Sequence, residues 1–211
     1  MKVLLINGSP NEKGCTYTAL NEVATVLNQE GVETFIYHVG TEPIAPCRDC
    51  RVCTKLQKCV INDKVNDLLA TINEYDGFVI GSPVHYASAS GAISPFLDRL
   101  FFAGSRVPAG NPFRLKPATA IVSCRRAGST ATLDQLNKYF LINQMPIISG
   151  RYWNMVHGRT PEDVQKDLEG LQNMRILARN MAWHLKCKEV AEKAGIEKPE
   201  MENIVLTDFI R

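Results

Sequence analysis

The sequence predicts an α/β fold, a parallel sheet covered by helices on both faces, and three observations carry that reading. Short apolar runs alternate with longer segments of helical period along most of the chain. Two of those runs, Val3-Leu4-Leu5-Ile6 and Phe78-Val79-Ile80, are followed by the same tripeptide, Gly8-Ser9-Pro10 and Gly81-Ser82-Pro83. The length, 211 residues, suits one such domain and would cramp a second core.

Lys2–Asn7 reads as a buried strand, and Thr16–Glu30 as a helix with Leu20, Val23, Ala24 and Leu27 on one face and Gly31 as its stop. Val32–Val39 is a second strand. A cysteine-rich connection then runs over about 40–62, an insertion into an otherwise regular alternation. Asp63 is placed to cap a helix that buries Val65, Leu68, Leu69 and Ile72. Gly77–Gly81 is a third strand. The helix after it starts near Ser90 and stacks Ile93, Phe96, Leu97, Leu100 and Phe101, with Pro95 tolerated in its first turns. Ala118–Cys124 is a fourth strand, and Leu133, Leu136 and Phe140 mark a fourth helix. Pro146-Ile147-Ile148 reads as a short fifth strand. Thr160-Pro161-Glu162-Asp163 opens a single long last helix reaching about Lys188. Strands alternating with helices imply right-handed crossovers and a ligand site outside the carboxyl ends of the strands.

Composition excludes several function classes. With 24 basic against 22 acidic residues the formal charge is +2, which supports neither nucleic acid nor a membrane surface as partner. The first apolar run is too short for a signal-peptide core, and nowhere do about 18 apolar residues run together. Seven cysteines, an odd number, with four crowded between 47 and 59, fit a reducing compartment, so a cytoplasmic protein is expected.

A strand that ends in a small hydroxyl-bearing turn and then starts a helix exposes backbone N–H groups, and so can hold an anion. Around Gly8-Ser9-Pro10-Asn11 there is neither a Walker lysine motif nor G-x-G-x-x-G. Hydroxyls at Ser9, Thr16 and Thr18 flank Gly8 and Gly14 instead; they can serve a phosphate or simply cap the helix. This strand–GSP–xxxG–x–T–helix pattern resembles the phosphate loop of the flavodoxin-like NAD(P)H-dependent FMN reductases. Gly81-Ser82-Pro83-Val84-His85-Tyr86, Ser90-Gly91 and Phe96-Leu97-Asp98-Arg99 resemble that family's second flavin loop and the helix behind it. The matches span residues 1 to about 140.

The resemblance implies a doubly wound, five-stranded flavodoxin-like parallel sheet of order 2-1-3-4-5, forming one domain over 1–211, with FMN at the strand edge. Ser9, Asn11, Thr16 and Thr18 would hold the FMN phosphate. Ser82, Pro83, Val84, His85 and Tyr86 would lie along the isoalloxazine, a flat apolar ring needing a flat wall. His85 either hydrogen-bonds substrate or stands by. The family often has Gly where this chain has Ala87. Arg125, Arg126 and Gly128, after the fourth strand, would approach the pyrimidine side of the flavin, although two solvated arginines beside a helix start read equally well.

Cys47, Cys50, Cys53 and Cys59 follow Pro46 with the spacing C-x2-C-x2-C-x5-C. Such a compact set can hold an iron–sulfur cluster or zinc, or remain free thiols and redox pairs. It resembles the motif of the iron–sulfur flavoproteins, a branch of the same family, which implies a [4Fe-4S] cluster exchanging electrons with FMN. Arg48, Arg51, Lys55 and Lys58 would offset a thiolate cluster's charge or lower thiol pKa values without one. No catalytic residue stands out, because the cofactor carries the chemistry.

The expected activity is a flavin oxidoreductase taking electrons from NAD(P)H, a nicotinamide nucleotide, to a small-molecule or protein acceptor. The alternatives are a non-enzymatic electron-transfer flavoprotein and a zinc-stabilised binding module. Aromatics in Phe101-Phe102 to Phe113 and at Tyr152-Trp153 read as loop residues able to cover a neighbouring subunit's flavin, and the family resemblance implies a homodimer or homotetramer. The tail from Ile204 to Ile210 is apolar enough to dock.

Overall fold

The computed structural model describes residues 1–106, 110–207 and 209. In chain order its elements are β1 (Lys2–Asn7), α1 (Cys15–Gln29), β2 (Glu33–His38), α2 (Cys53–Leu56), α3 (Lys64–Ala70), β3 (Gly77–His85) and β4 (Ser88–Ala89). They continue with α4 (Ile93–Gly104), β5 (Ala118–Cys124), α5 (Ser129–Ile142), β6 (Met155–His157), α6 (Pro161–Lys166) and α7 (Leu168–Lys193). The sheet runs β2-β1-β3-β5-β6, all parallel, with β4 folded back antiparallel on β3. Without that short hairpin strand this is the flavodoxin-like order 2-1-3-4-5.

Side-chain alternation divides the core between two faces. Leu4, Ile6, Phe78, Ile80, Ala120 and Val122 pack with residues of α3, α4 and α5. Val3, Leu5, Val79 and Ile121 pack with residues of α1, α6 and α7. Central strands buried on both faces therefore read as continuous apolar runs. Each fully buried Leu or Ile contributes about 1.5–3 kcal/mol, which holds the layers together.

Three expectations are corrected. The edge strand is split: Ile147 makes only an isolated bridge to Ala118, and the fifth parallel strand is β6. Pro146 lacks the N–H a longer ladder would need. Between the two pairings the chain bulges, and Asn173 satisfies the bulge by accepting from Arg151 N (2.7 Å) and Tyr152 N (3.0 Å) while donating to Tyr152 O and Trp153 O. The last helix is two helices. Thr160 and Asp163 form a capping box for α6, and Asp167 then caps α7 by accepting from Gly170 N. Phe101 and Phe102 lie within α4, not in a loop, and Phe113 is fully buried. Tyr152 and Trp153 are exposed, as are Ile204, Val205 and Leu206 of the tail; Ile210 lies outside the described residues. No helix among the described residues is long and apolar enough to cross a membrane.

Candidate functional site

The carboxyl ends of the central strands meet along one edge. Asn7 pairs in register with His38 and with Gly81, Pro83 with Ser123, and Cys124 with His157. The first Gly-Ser-Pro is a turn built from side-chain brackets. Asn7 accepts from Ser9 N (3.1 Å) and donates to Glu12 O (2.8 Å), and Ser9 Oγ accepts from Asn11 N (3.1 Å). Gly8 N donates to Gly81 O at 2.8 Å, so the two tripeptides touch through their glycines. A Cβ on Gly8 would stand 2.8 Å from Ile93 Cβ, closer than packed carbons come, which explains glycine at this approach.

The hydroxyls do not cap α1. Gly14 is its N-cap, and no side chain caps the first turn's N–H groups. Thr16 is buried with its hydroxyl paired to Ser123 Oγ at 2.8 Å, tying α1 to β5, and Thr18 Oγ1 donates back to Gly14 O. What α1 offers a ligand is its first-turn backbone N–H groups. The same is true of α5, whose N-cap Gly128 adopts φ 89° without a side-chain cap. By contrast α3, α6 and α7 are capped by Asp63, Thr160 and Asp167. Uncapped amides beside a tight turn fit a phosphate, which tests the expected FMN against the chemistry of the loop.

The second Gly-Ser-Pro is not a strand-to-helix turn. β3 continues through it to His85 and reverses at Tyr86 and Ala87, both at positive φ (51° and 57°), into β4. Left-handed residues at both central positions are what a tight hairpin needs, even where the side chains disfavour it. Ser82 Oγ accepts from Ser90 N (3.0 Å), and Gln135 of α5 holds Ser88 Oγ and Ala89 N. A Cβ on Gly128 would meet Ala87 Cα at 2.8 Å and Val84 Cγ1 at 2.9 Å, so the hairpin leans on the start of α5. Pro83 and Val84 are half-buried; His85, Tyr86, Arg125 and Arg126 are exposed.

All four motif cysteines, Cys47, Cys50, Cys53 and Cys59, line one recess with Ile61, Arg99 and Phe102. Cys47 and Cys50 are exposed and Cys53 buried. Asp49, Arg51 and Gln57, all at positive φ, wind this loop tightly. Burial pushes the Cys53 thiol up, with the neighbouring cysteines adding to the shift, so the basic residues of the loop do not lower it. Among the described residues no group of three or more His, Cys, Asp or Glu is arranged around a single ion. As a donor set, four thiols around one recess fit an iron–sulfur cluster.

Three positioning residues were not assigned from the sequence. His38, half-buried at the end of β2, donates from Nε2 to Ser9 O at 2.8 Å and props the first Gly-Ser-Pro turn. Asn66 of α3 accepts from Cys59 N and donates to Cys59 O, both at 2.9 Å. Arg99 of α4, its side chain fully buried, donates to Cys59 Sγ at 3.2 Å and forms a two-pronged pair with Asp63 (2.6 and 2.8 Å). Burial alone would raise the Asp63 carboxyl, but the bonds from Arg99 and Val65 N hold it below its ordinary range. Only Arg99 had a visible signal, its place in Phe96-Leu97-Asp98-Arg99.

Comparison with known proteins agrees with this geometry. A family model described as NADPH-dependent FMN reductase matches residues 1–160. An iron–sulfur flavoprotein of Methanocaldococcus jannaschii is 31% identical over 191 residues, 86% of this chain and 96% of its own. One from Archaeoglobus fulgidus is 27% identical over 193 residues, covering 87% and 97%. Among solved structures, RosB with bound 8-demethyl-8-formylriboflavin-5′-phosphate superposes with a TM-score of 0.70 at 15% identity, covering 100% of this chain and 94% of its own. A flavodoxin from the Archaea gives 0.57 at 13% identity, covering 88% and 99%. At these identities the structural likeness is one of fold.

Proposed function

We propose, for a chain that belongs to the NADPH-dependent FMN reductase family and to its iron–sulfur flavoprotein branch, an FMN oxidoreductase that draws electrons from NAD(P)H and shares them with a cysteine-bound [4Fe-4S] cluster. The observation that carries it is the convergence of Cys47, Cys50, Cys53 and Cys59 on one recess that Arg99 and Phe102 of α4 also line. Bound FMN would supply the conversion between a two-electron hydride donor and single-electron transfer, and a cluster held by Cys47, Cys50, Cys53 and Cys59 would supply a one-electron partner.

The side chains orient and insulate. The Ser9–Asn11 turn and the first turn of α1, with Thr18 closing its base, hold the phosphate. Pro83 and Val84 give the ring an apolar wall, while Tyr86 stands outward where a substrate or a second subunit can meet it. Gly128 and the exposed Arg125 and Arg126 put an uncapped helix start and positive charge near that wall, an arrangement that favours the anionic reduced flavin. Ser90, just ahead of α4, donates from Oγ to Gly8 O at 2.5 Å, and Ile93 at the start of α4 packs against Gly8. Six residues after Ile93, the first of α4, or about 9 Å at helical rise, Arg99 reaches the cysteine loop. One rigid helix thus spaces the two redox sites.

Anaerobically purified protein tests this. Flavin bands, a broad shoulder near roughly 400 nm and iron with acid-labile sulfide are expected. Stopped-flow mixing should bleach the flavin with NADH or NADPH. If neither nucleotide bleaches it while a reduced low-potential carrier does, the electron-transfer alternative replaces the enzyme; zinc in a colourless protein sinks both.

A further inference from the structure

We infer that Arg99 is a positioning residue that raises the reduction potential of the cysteine-bound cluster through Cys59, an inference that rests on the cluster reading above. A guanidinium has five N–H donors, and here every one has an acceptor. Nε donates to Cys59 Sγ (3.2 Å), Nη1 to Ala45 O (3.3 Å) and Asp63 Oδ2 (2.6 Å), and Nη2 to Ile61 O (2.9 Å) and Asp63 Oδ1 (2.8 Å). The group is fully buried and cannot swing away. Four of its acceptors are oxygens that demand nothing of a redox site. The fifth is a sulfur, and a neutral thiol is a weak acceptor. A buried, charged donor aimed at it is complementary to a thiolate.

The cysteines are therefore not equivalent. Cys47 and Cys50 face solvent and Cys53 heads α2. Cys59 alone among them receives a side-chain donor at its sulfur, within the described residues, and Asn66 fixes its backbone from both sides. Reducing a cluster adds negative charge that its thiolate ligands share, so a fixed N–H donor stabilises the reduced state more than the oxidised one. Asp63 neutralises the guanidinium, so the effect is short-range and falls on Cys59, leaving the flavin potential alone.

The test is an EPR-monitored redox titration of the anaerobically purified full chain and two variants. Arg99→Lys keeps the charge but loses the planar fork. The double variant Arg99→Met/Asp63→Asn removes the donor, retains an asparagine able to cap α3, and leaves no carboxylate unpaired. With iron content retained, the equilibrium constant for cluster reduction should fall about tenfold in the double variant, about 59 mV for one electron, with the lysine variant between. The flavin potential should not move. An unchanged cluster potential, an equal shift of both potentials, or loss of iron from both variants would overturn the inference while the cluster reading stands. Wild-type protein without iron and sulfide would overturn both.

Discussion

Gly8→Ala is the sharpest perturbation of the first Gly-Ser-Pro turn, the one proposed to hold the flavin phosphate. The added methyl would sit 2.8 Å from both Cβ and Cγ1 of Ile93 and 3.0 Å from Gly81 O, against ordinary contact from 3.4 Å. Something must retreat by roughly 0.6 Å, and both obstacles are anchored: Ile93 is fully buried at the start of α4, and Gly81 O accepts the Gly8 N–H. Overpacking of this kind costs about 1–3 kcal/mol. A turn displaced that far also misaligns the N–H groups offered to the phosphate, where each charge-assisted bond is worth about 1.5–3 kcal/mol, so FMN affinity should fall on the order of 10- to 100-fold. Urea unfolding of the apo-protein reads the first effect, and quenching of FMN fluorescence on titration reads the second. Gly91→Ala, where an added Cβ meets nothing within 4 Å, is the packing control and should unfold like the parent. If Gly8→Ala unfolds like Gly91→Ala and binds FMN as tightly as wild type, the packing argument for this turn is wrong.

His38→Ala removes the bond to Ser9 O and should weaken FMN binding by up to about tenfold with little change in unfolding; His38→Gln, which keeps a donor, should recover part of it. Asp63 gives the chain an acid-sensitive contact. Because its folded pKa lies below the ordinary value of 3.8, its contribution is complete above that value and is lost as pH falls through the lower folded value. Urea unfolding across that window should show stability dropping with pH, and Asp63→Asn should flatten the slope; an unchanged slope would remove Asp63 from the account.

What could be read from the sequence follows from how each element is buried. β1, β3 and β5 are covered on both faces, so their apolar runs stand out, and a strand packed between two helical layers has few alternatives. The edge strand was misplaced because its pairing is interrupted, and the residue that satisfies the interruption, Asn173, lies on α7, about twenty positions away. The hairpin after the second Gly-Ser-Pro was hidden for a different reason. Tyr86 and Ala87 are poor choices for positive φ; the hairpin is held by its own β3–β4 pairing, by Gln135 bonding Ser88 and Ala89, and by Gly128 packing on Ala87. Asp167 looked like one more acid on a long helix, because a cap and a surface carboxylate are the same letter. The cysteines announced themselves by spacing. Arg99 showed only by its place in Phe96-Leu97-Asp98-Arg99; its role did not, since a pattern of apolar positions treats every arginine as solvated and the fold shows this one fully buried.

The distribution of caps connects stability to function. A missing side-chain cap leaves a helix less stable by about 1 kcal/mol, and this chain supplies one at α3 (Asp63), α6 (Thr160) and α7 (Asp167), whereas α2 and α4 begin at Val52 and Ala92 without one. At α1 and α5 it supplies glycines instead, although Ser9, Thr16 and Ser129 are close in sequence. Those hydroxyls are drawn into other tasks, Ser9 bracing the turn and Thr16 fastening α1 to β5. The two helices that follow β1 and β5 thus keep their N–H groups available on the edge where the Gly-Ser-Pro turn and the hairpin meet. An anion bound there completes helices that the chain leaves open, so its binding energy adds directly to folding stability. The open ends of α1 and α5 are a local weakness on the strand edge that a bound anion would offset, whereas Asp63, Thr160 and Asp167 cap α3, α6 and α7 without one.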